Sequence, residues 1–449
     1  MTDCASRLQH SITASFDTTK LAELARTSGF LRRESKLKPE EFIEMLMFSD
    51  SDHSQLSLQD CCNDLAQQKQ KLLSKEALHK RFNSKSVEFL KLVLAHQLAL
   101  KFDIDPGTNW QSFSKVVVHD SSKFSLPKRY KDDYPGYGNF ASAIMNIQYS
   151  FDLKHGNWEA LDLTKVTEND PGYSKRTIDR IRYNELHIRD LGFITMNYLC
   201  GIIKEKAFFL NRLPPQWVPV QCSTGKRINW ANLYKKMQDS NRMPFETIVT
   251  IGKGESAFDC RLIAVAVPDE VWAERVRKAE AKAKSQRLVL SDEYKLRCRF
   301  SVFITNTDEQ LLRANDIIQL YRLRWQIELI FKTWKSVFSI HKIKPVKRER
   351  LICQLFAKFI WILMNWKIFS CIDAFIRRNS TNYACSIWKF AKQARSYTQV
   401  MRKVITGVVS CRDWLKIFLC PIIKSLLIED KKGKKSAYAI VYDIFKPLG

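Results

Sequence analysis

The chain has 449 residues, 45% of them hydrophobic and 12% aromatic, which is typical of a folded protein of two to four domains and argues against a disordered one. Its 73 lysines and arginines outnumber 47 acidic residues, so the formal net charge at pH 7 is +26. This excess favours a polyanionic partner, nucleic acid first and an anionic membrane surface second, over an ordinary basic protein.

The cysteines and the apolar segments indicate a cytoplasmic protein without a membrane role. The twelve cysteines form no CxxC motif, and the first residues lack the apolar run of a signal peptide, so free thiols in a reducing compartment are expected. Residues 353–372 are strongly apolar, but Lys358, Asn365 and Lys367 interrupt them. We therefore interpret this stretch as a buried helix.

Residues 1–105 are predicted to be a helical domain, because apolar residues recur there at spacings of three and four. Ser57 and Asp60 have the spacing of a capping box at a helix start. Two short helices in this region resemble a helix-turn-helix, which makes Lys80 and Arg81 candidate DNA contacts. An ordinary helical packing module is the alternative interpretation.

Residues 106–213 change to the short β-branched and alternating runs of strands, mixed with helices. In chain order we predict a strand at 115–120, a polar turn at 121–123, a hairpin of strands 144–153 and 158–166, a charged helix at 174–184, a strand at 186–190, a helix at 195–206 and a strand at 207–213.

The remaining chain divides into three regions. Residues 214–300 interrupt the core pattern as a β-rich insertion, and their basic helix, at 271–287, can contact DNA or be a solvated helix. Residues 301–372 return to the core with a strand at 301–305. Residues 373–449 are mostly helical, with a lysine-rich loop at 431–435, and are a candidate dimerisation region.

Residues 321–335 are predicted to form one helix, since no Gly or Pro interrupts them. At about 100° per residue, one face carries a carboxylate among cations and a tyrosine. That face consists of Tyr321, Arg324, Glu328 and Lys335, with Lys332 beside it. A second, apolar face anchors the helix. A solvated salt-bridge face is the simpler interpretation of this segment taken alone.

Two further acids change that balance. Asp120 and Asp190 each end a predicted strand, where neighbouring strands can bring two carboxylates together at the rim of a sheet. The helix that carries Glu328 can then lie against the same rim. Three clustered carboxylates repel one another unless divalent cations neutralise them, and hard oxygen ligands suit two Mg²⁺ or Mn²⁺ ions. Such a pair of ions supports in-line phosphoryl transfer on DNA held by the neighbouring cations.

The spacing Tyr321-x2-Arg324-x3-Glu328-x6-Lys335 resembles the Y-R-E-K signature of the DDE transposases of bacterial insertion sequences, in the group that forms hairpins. Residues 119–122 resemble the family's first-Asp block and residues 189–193 its second. The resemblance covers about residues 20–370.

This resemblance implies an α/β core with a ribonuclease H-like mixed sheet, interrupted by the insertion and flanked by helical regions. It implies Asp120, Asp190 and Glu328 as metal ligands, and Tyr321, Arg324 and Lys335 as contacts to transposon-end phosphates. It also implies double-stranded DNA as the partner, with a homodimer in the paired complex, in a nucleoid-associated bacterial protein of the cytoplasm.

Hairpin-forming relatives carry an aromatic residue in the insertion that stacks on a flipped base. Phe300 lies near the expected place and is the candidate here, although no tryptophan stands there. Two alternatives to an active transposase remain: a catalytically silent DNA-binding repressor derived from one, and a ribonuclease H-like nuclease without strand transfer.

Overall fold

The computed structural model describes residues 2–48, 57–101, 112–138, 142–214, 216–239, 244–379, 383–394 and 396–429. The predicted domain boundary at residue 105 and the lysine-rich loop at 431–435 lie outside these ranges.

Six helices are described in the N-terminal region, five near the positions expected from the apolar spacing and a further one at Thr2–Ser15. Ser57 and Asp60 form the predicted capping box, in which each side chain accepts a hydrogen bond from the backbone N–H of the other. Ser74 caps the fifth helix through the backbone N–H of Ala77. The helices are α1 (Thr2–Ser15), α2 (Thr18–Thr27), α3 (Pro39–Phe48), α4 (Leu58–Lys69), α5 (Lys75–Arg81) and α6 (Ser84–Ala99).

A nine-stranded mixed sheet forms the centre of the fold, with the order β3-β2-β1-β4-β5-β9-β8-β7-β6. The pairs β1–β4 and β4–β5 are parallel and the others are antiparallel. This sheet with its helices is consistent with the expected ribonuclease H-like α/β core. The strands are β1 (Lys115–Ser125), β2 (Ile144–Asp152), β3 (Asn157–Lys165), β4 (Glu185–Arg189), β5 (Phe208–Arg212), β6 (Val220–Gln221), β7 (Phe245–Ile251), β8 (Phe258–Ala266) and β9 (Phe300–Thr305).

Two helices lie between the strands of the first half of the core, α7 (Asp170–Arg176) and α8 (Met196–Lys204). The predicted charged helix at 174–184 is wrong in its bounds. The helix begins earlier, because the Asn169 side chain caps it at the Gly172 N–H, and it stops at Arg176. A separate 3₁₀ turn, Ile178–Arg180, follows, and Asn184 then takes a left-handed backbone conformation that no helix can continue.

β5 pairs directly with β9, and the predicted insertion at 214–300 lies between these two strands in the chain. The strands described within this segment, β6, β7 and β8, belong to the central nine-stranded sheet. β8 pairs with β9, and β7 pairs with β8, so the inserted strands continue the central sheet. The helices of this segment are α9 (Trp230–Asp239), α10 (Asp269–Ser285) and α11 (Asp292–Arg297).

The rest of the chain is mainly helical. It comprises α12 (Ala314–Leu323), α13 (Trp325–Ser336), α14 (Arg348–Asn379), α15 (Ile387–Gln393), α16 (Thr398–Ile405), α17 (Cys411–Trp414) and α18 (Ile423–Leu426), with a small hairpin of β10 (Tyr383–Cys385) and β11 (Leu427–Glu429).

Helix α14 is long and apolar enough to cross a membrane by length and composition, and 67% of its most apolar window is buried inside the fold. It packs against α1, α3 and α6, and the Phe359 ring contacts the Trp334 ring of α13. This burial is that of a core helix, as the interrupting polar residues indicate. Ten cysteines whose side chains the structure describes are free thiols.

Lys367 on α14 is a buried cation whose Nζ lies 3.4 Å from the Ser15 Oγ. Burial, reinforced by the nearby Lys101, lowers its pKa to about 8. The folded state therefore disfavours the charged form, and this cost to stability is present at neutral pH and disappears as pH rises from about 8 towards the unfolded value.

We expect Lys367→Met to raise the free energy of unfolding at pH 7 by roughly 1–3 kcal/mol, because the side chain keeps its volume and loses the desolvated charge. Denaturant unfolding at pH 7 and pH 9.5 should show the gain shrinking at the higher pH. The exposed Lys91→Met serves as control and should change little at either pH. A destabilised Lys367→Met protein at pH 7 would contradict this account.

Candidate active site

The parallel pairing of β1 with β4 brings two acids together. The last pair in this register is His119 of β1 with Arg189 of β4, so Asp120 and Asp190 are the next residues along the two neighbouring strands. Asp120 was expected to end its strand, and that expectation is wrong. β1 continues to Ser125, because β2 pairs with it as far as Ile144 opposite Ser125, and the predicted turn at 121–123 is strand. It is β4 that ends, at Arg189, and Asp190 follows it as the residue before a 3₁₀ turn, Leu191–Phe193.

The predicted single helix at 321–335 is two helices, α12 and α13, which meet at Arg324. At the junction the Arg324 N–H bonds to the Tyr321 carbonyl and the Ile327 N–H bonds to the Arg324 carbonyl, both over three residues instead of four. The break places Glu328 in the first turn of α13, and α13 packs against β1.

Arg324 lies between the three acids. Its Nη1 is 2.7 Å from the Asp120 Oδ2, and its Nη2 is 3.6 Å from the Asp190 Oδ1 and 3.3 Å from the Glu328 Oε1. The Asp120 and Arg324 side chains are each 15% exposed, whereas those of Asp190 and Glu328 are 45% and 42% exposed. One guanidinium thus gathers three carboxylates at the rim of the sheet.

Burial is the largest influence on the pKa of the Asp120 carboxyl. It raises the pKa of this carboxyl to about 6 against the opposing effects of Arg324 and of the Ser121 N–H, and the Asp190 and Glu328 charges add to the rise. Burial alone would lower the pKa of Arg324, but the carboxylates of Asp190 and Asp120 raise it above its ordinary value. The guanidinium therefore stays charged among the acids.

The residues just before the two aspartates, His119 on β1 and Arg189 on β4, are buried and pack against other polar and aromatic side chains. The His119 ring stacks on Tyr173 at 5.1 Å, and its nitrogens lie 2.6 Å from the Ser150 Oγ and 3.0 Å from the Gln148 Oε1. Burial keeps its pKa well below the ordinary value. Arg189, equally buried, lies over the Tyr198 ring at 3.9 Å. The two Asp blocks of the family resemblance include His119 and Arg189, but periodicity alone does not distinguish their buried partners Ser150, Gln148, Tyr173 and Tyr198 from ordinary core positions.

The other residues predicted on the Glu328 face lie in three different settings. Tyr321 is buried against Phe303, and its hydroxyl forms no hydrogen bond of normal geometry with the described residues. Lys335 is half-buried and donates from Nζ to the Lys123 carbonyl of β1 at 2.9 Å. Lys332 is exposed and points away, with its ammonium 5.6 Å from the centre of the Trp388 ring on α15.

Phe300 is not available for stacking on a base. It is 3% exposed, and its ring packs against Trp230 at 5.4 Å and Tyr234 at 6.1 Å. The base-stacking expectation for Phe300 is therefore wrong, because the ring is part of the core between the sheet and α9. An exposed aromatic that the sequence reasoning missed is Trp325, which is 56% exposed and directly follows Arg324.

The two candidate DNA contacts of the N-terminal region differ. Lys80 is exposed near the end of α5. Arg81 instead lies over the Phe30 ring at 4.6 Å and donates from Nη2 to the Ser35 Oγ and the Leu37 carbonyl. Its guanidinium ties α5 to the chain before α3, which corrects its expected role as a DNA contact.

The donor chemistry of the three acids fits divalent cations. All the donors are carboxylate oxygens, which hard ions such as Mg²⁺ and Mn²⁺ prefer, and two of the three side chains are open to solvent. Within the described ranges, no three His, Cys, Asp or Glu side chains already stand close enough to hold an ion. The cation that these acids now share is Arg324.

A mixed sheet with acids on two neighbouring parallel strands, and a third acid on a helix packed beside them, is an arrangement suited to metal-dependent phosphoryl transfer on nucleic acids. Comparison with known proteins agrees with this class. Residues 111–364, more than half of the chain, match the family model described as a transposase DDE domain, and the chain belongs to this family. The protein is a DNA transposase, and its domain type generally implies the use of divalent metal.

Individual relatives are transposases of insertion sequences. The chain is 27% identical to the transposase for insertion sequence element IS1151 of Clostridium perfringens, over 98% of this chain and 96% of the relative. It is 29% identical to the transposase for element IS231B of Bacillus thuringiensis subsp. berliner, over 77% of this chain and 76% of the relative. A putative transposase InsL of Escherichia coli is 30% identical over 26% of this chain and 32% of its own length.

We expect Arg81→Ala to lower the free energy of unfolding by about 1–2 kcal/mol, because it removes two hydrogen bonds and the packing of a half-buried guanidinium. Lys80→Ala is the matched control, since it removes the same charge from an exposed neighbour, and it should stay within about 0.5 kcal/mol of the unchanged protein. Denaturant unfolding measures both. An Arg81→Ala protein of full stability but weakened, salt-dependent DNA binding would restore Arg81 as a DNA contact.

Proposed function

We propose that the protein moves an insertion sequence by cut-and-paste transposition, with Asp120, Asp190 and Glu328 as ligands of two Mg²⁺ or Mn²⁺ ions. The observation that carries the proposal is the convergence of these acids, distant along the chain, on one guanidinium at the rim of the sheet. Bound ions would activate the attacking oxygen and stabilise the leaving oxygen of an in-line displacement.

The residues of the chain itself bind and orient the DNA in this proposal. Arg324 and Lys335 flank Glu328 with two positive charges, and Tyr321 has a hydroxyl beside them that lacks a well-shaped hydrogen bond among the described residues. The spacing of these residues is that of the Y-R-E-K signature. In this proposal Arg324 and Lys335 bind phosphates near the cleaved bond, and Tyr321, whose hydroxyl is buried, joins them when DNA binding exposes it.

β1 extends this cationic surface beyond Asp120. Lys123 donates from Nζ to the Tyr137 hydroxyl at 3.0 Å, beside the carbonyl that accepts from Lys335. The overall charge of +26 supplies the long-range attraction for DNA.

The proposed reaction begins with nicking at the transposon end and continues with a hairpin on that end, its opening, and joining of the 3′-OH to target DNA. The hairpin requires a sharply bent strand, which an aromatic surface near the site can hold by stacking on an extruded base. Trp325 replaces Phe300 in this role, because it is exposed and adjacent to Arg324.

The partner in this proposal is the double-stranded DNA of the terminal inverted repeats and of the target, in the bacterial nucleoid. A homodimer that pairs the two ends follows from the resemblance to transposases that cleave in a paired complex. Residues 373–449 are the candidate dimerisation region.

Asp120→Asn, Asp190→Asn and Glu328→Gln should each lower Mg²⁺-dependent cleavage of a supercoiled donor plasmid by at least about 100-fold, because each removes one anionic ligand from the proposed ions. End binding, followed by gel shift, should change by less than about threefold. The exposed Glu205→Gln removes the same charge elsewhere and should cleave normally.

The outcomes of that experiment separate the competing functions. Near-normal cleavage by any of the three variants would remove that acid from the site. An unchanged protein that binds ends without cutting is a repressor, and one that cuts without joining ends to target DNA is a nuclease.

Trp325→Ala should reduce the hairpin product on a pre-nicked end by roughly tenfold while nicking stays within about twofold, since stacking on one base contributes about 1–3 kcal/mol. Denaturing gels of end substrates separate the two products. Trp325→Phe keeps a stacking face and should recover most of the hairpin product. Tyr183→Ala removes an exposed aromatic elsewhere and serves as control. Equal losses of nicking and of hairpin would contradict a specific role in stacking.

A further inference from the structure

We propose that Arg324 is a positioning residue that acts as an internal counter-cation: it holds the three acids together before metal binds, and metal must displace it. The inference rests on the proposed metal site, and adds a competition between a side chain and the ions. Arg324 thereby couples metal binding to the capture of DNA phosphate.

The geometry supports a shared position for the guanidinium and the ions. Arg324 uses one nitrogen for Asp120 and the other for both Asp190 and Glu328, at 2.7, 3.6 and 3.3 Å respectively. A metal ion needs carboxylate oxygens at about 2.1 Å, so the acids cannot close on an ion while the guanidinium stays between them. Among the described residues the acids have no metal-ready arrangement, which agrees with this exclusion.

The guanidinium group of arginine is suited to act as the counter-cation of three carboxylates. Three carboxylates in one cluster repel one another, and Asp120 is largely buried, so an uncompensated cluster would destabilise the rim of the sheet. A guanidinium is planar, weakly hydrated and always charged, and it presents several donors at once. It can therefore contact three carboxylates at once, whereas the compact ammonium of a lysine would contact one.

Competition for the same oxygens has a thermodynamic consequence. Arg324 lowers the affinity of the acids for metal, and by linkage bound metal lowers the affinity of the acids for Arg324. The released guanidinium is then free to form charge-assisted hydrogen bonds with a phosphate. Metal and DNA thus bind with positive cooperativity through this one side chain.

The test is a Mn²⁺ titration of the full chain in the absence of DNA, by calorimetry and by electron paramagnetic resonance of the free ion. Arg324→Met should bind Mn²⁺ roughly tenfold more tightly than the unchanged protein, a coupling within the range usual for linked sites. Its melting temperature should be lower without metal and should rise further on adding Mn²⁺.

Arg322→Met is the matched control, because it removes the same charge two residues away from an exposed position on α12. It should leave Mn²⁺ affinity within about twofold. Equal Mn²⁺ affinity in Arg324→Met and the unchanged protein would overturn the proposal, and weaker affinity would show that Arg324 assists the ions.

A second variant, Arg324→Lys, and a DNA-binding assay with Ca²⁺ also test the displacement of Arg324 by metal. Arg324→Lys applies if Arg324→Met does not fold. It retains the charge but cannot bridge three acids, so it should show an intermediate gain in Mn²⁺ affinity, and no gain would reject the proposal.

Ca²⁺ should strengthen the binding of a DNA end by the unchanged protein, and should strengthen it much less in Arg324→Met. Failure of the acid variants to lose cleavage would reject the proposed function instead, since the Mn²⁺ titration requires no cleavage.

Discussion

Five residue pairs join β1 to β4 in parallel register, from Lys115 with Glu185 to His119 with Arg189. Val116, Val118, Leu186 and Ile188 are fully buried on one face of this pair, and Val117 and His187 are buried on the other, so packing on both faces of the sheet sets the register. A slip by one residue would turn Asp120 to the opposite face and separate it from Asp190. The geometry of the candidate active site depends on this pairing more than on any other contact.

The third acid reaches the same place through a helix that the core holds firmly. Trp334 on α13 packs against Tyr149 and Trp158 of the sheet, and against Phe359 of α14. α14 in turn packs on the N-terminal helices. Burial of these large aromatic rings fixes α13 beside β1, and so fixes the position of Glu328 relative to the two aspartates.

The inserted segment also contributes to the site. Arg261 of β8 is buried and donates from Nη1 to the carbonyls of Thr307, Asp308 and Leu312, in the loop that leads into α12. Since α12 ends where Arg324 begins its contacts with the acids, the inserted strands help to place the helix junction. This explains why their continuation of the central sheet matters for the chemistry.

The sequence by itself predicted a polyanionic partner, most strand and helix positions, and three candidate acids, because charge, periodicity and spacing are local properties of the chain. Tertiary structure decided the break of the helix at Arg324, the burial of Phe300 and Arg81, and the exposure of Trp325. Each depends on which segments pack together in the fold. An aromatic ring beside a strand is buried if a helix packs over it and exposed if none does. The group that a cationic side chain binds, whether phosphate, carboxylate or carbonyl, is set by the residues around it. No pattern within one segment contains that information.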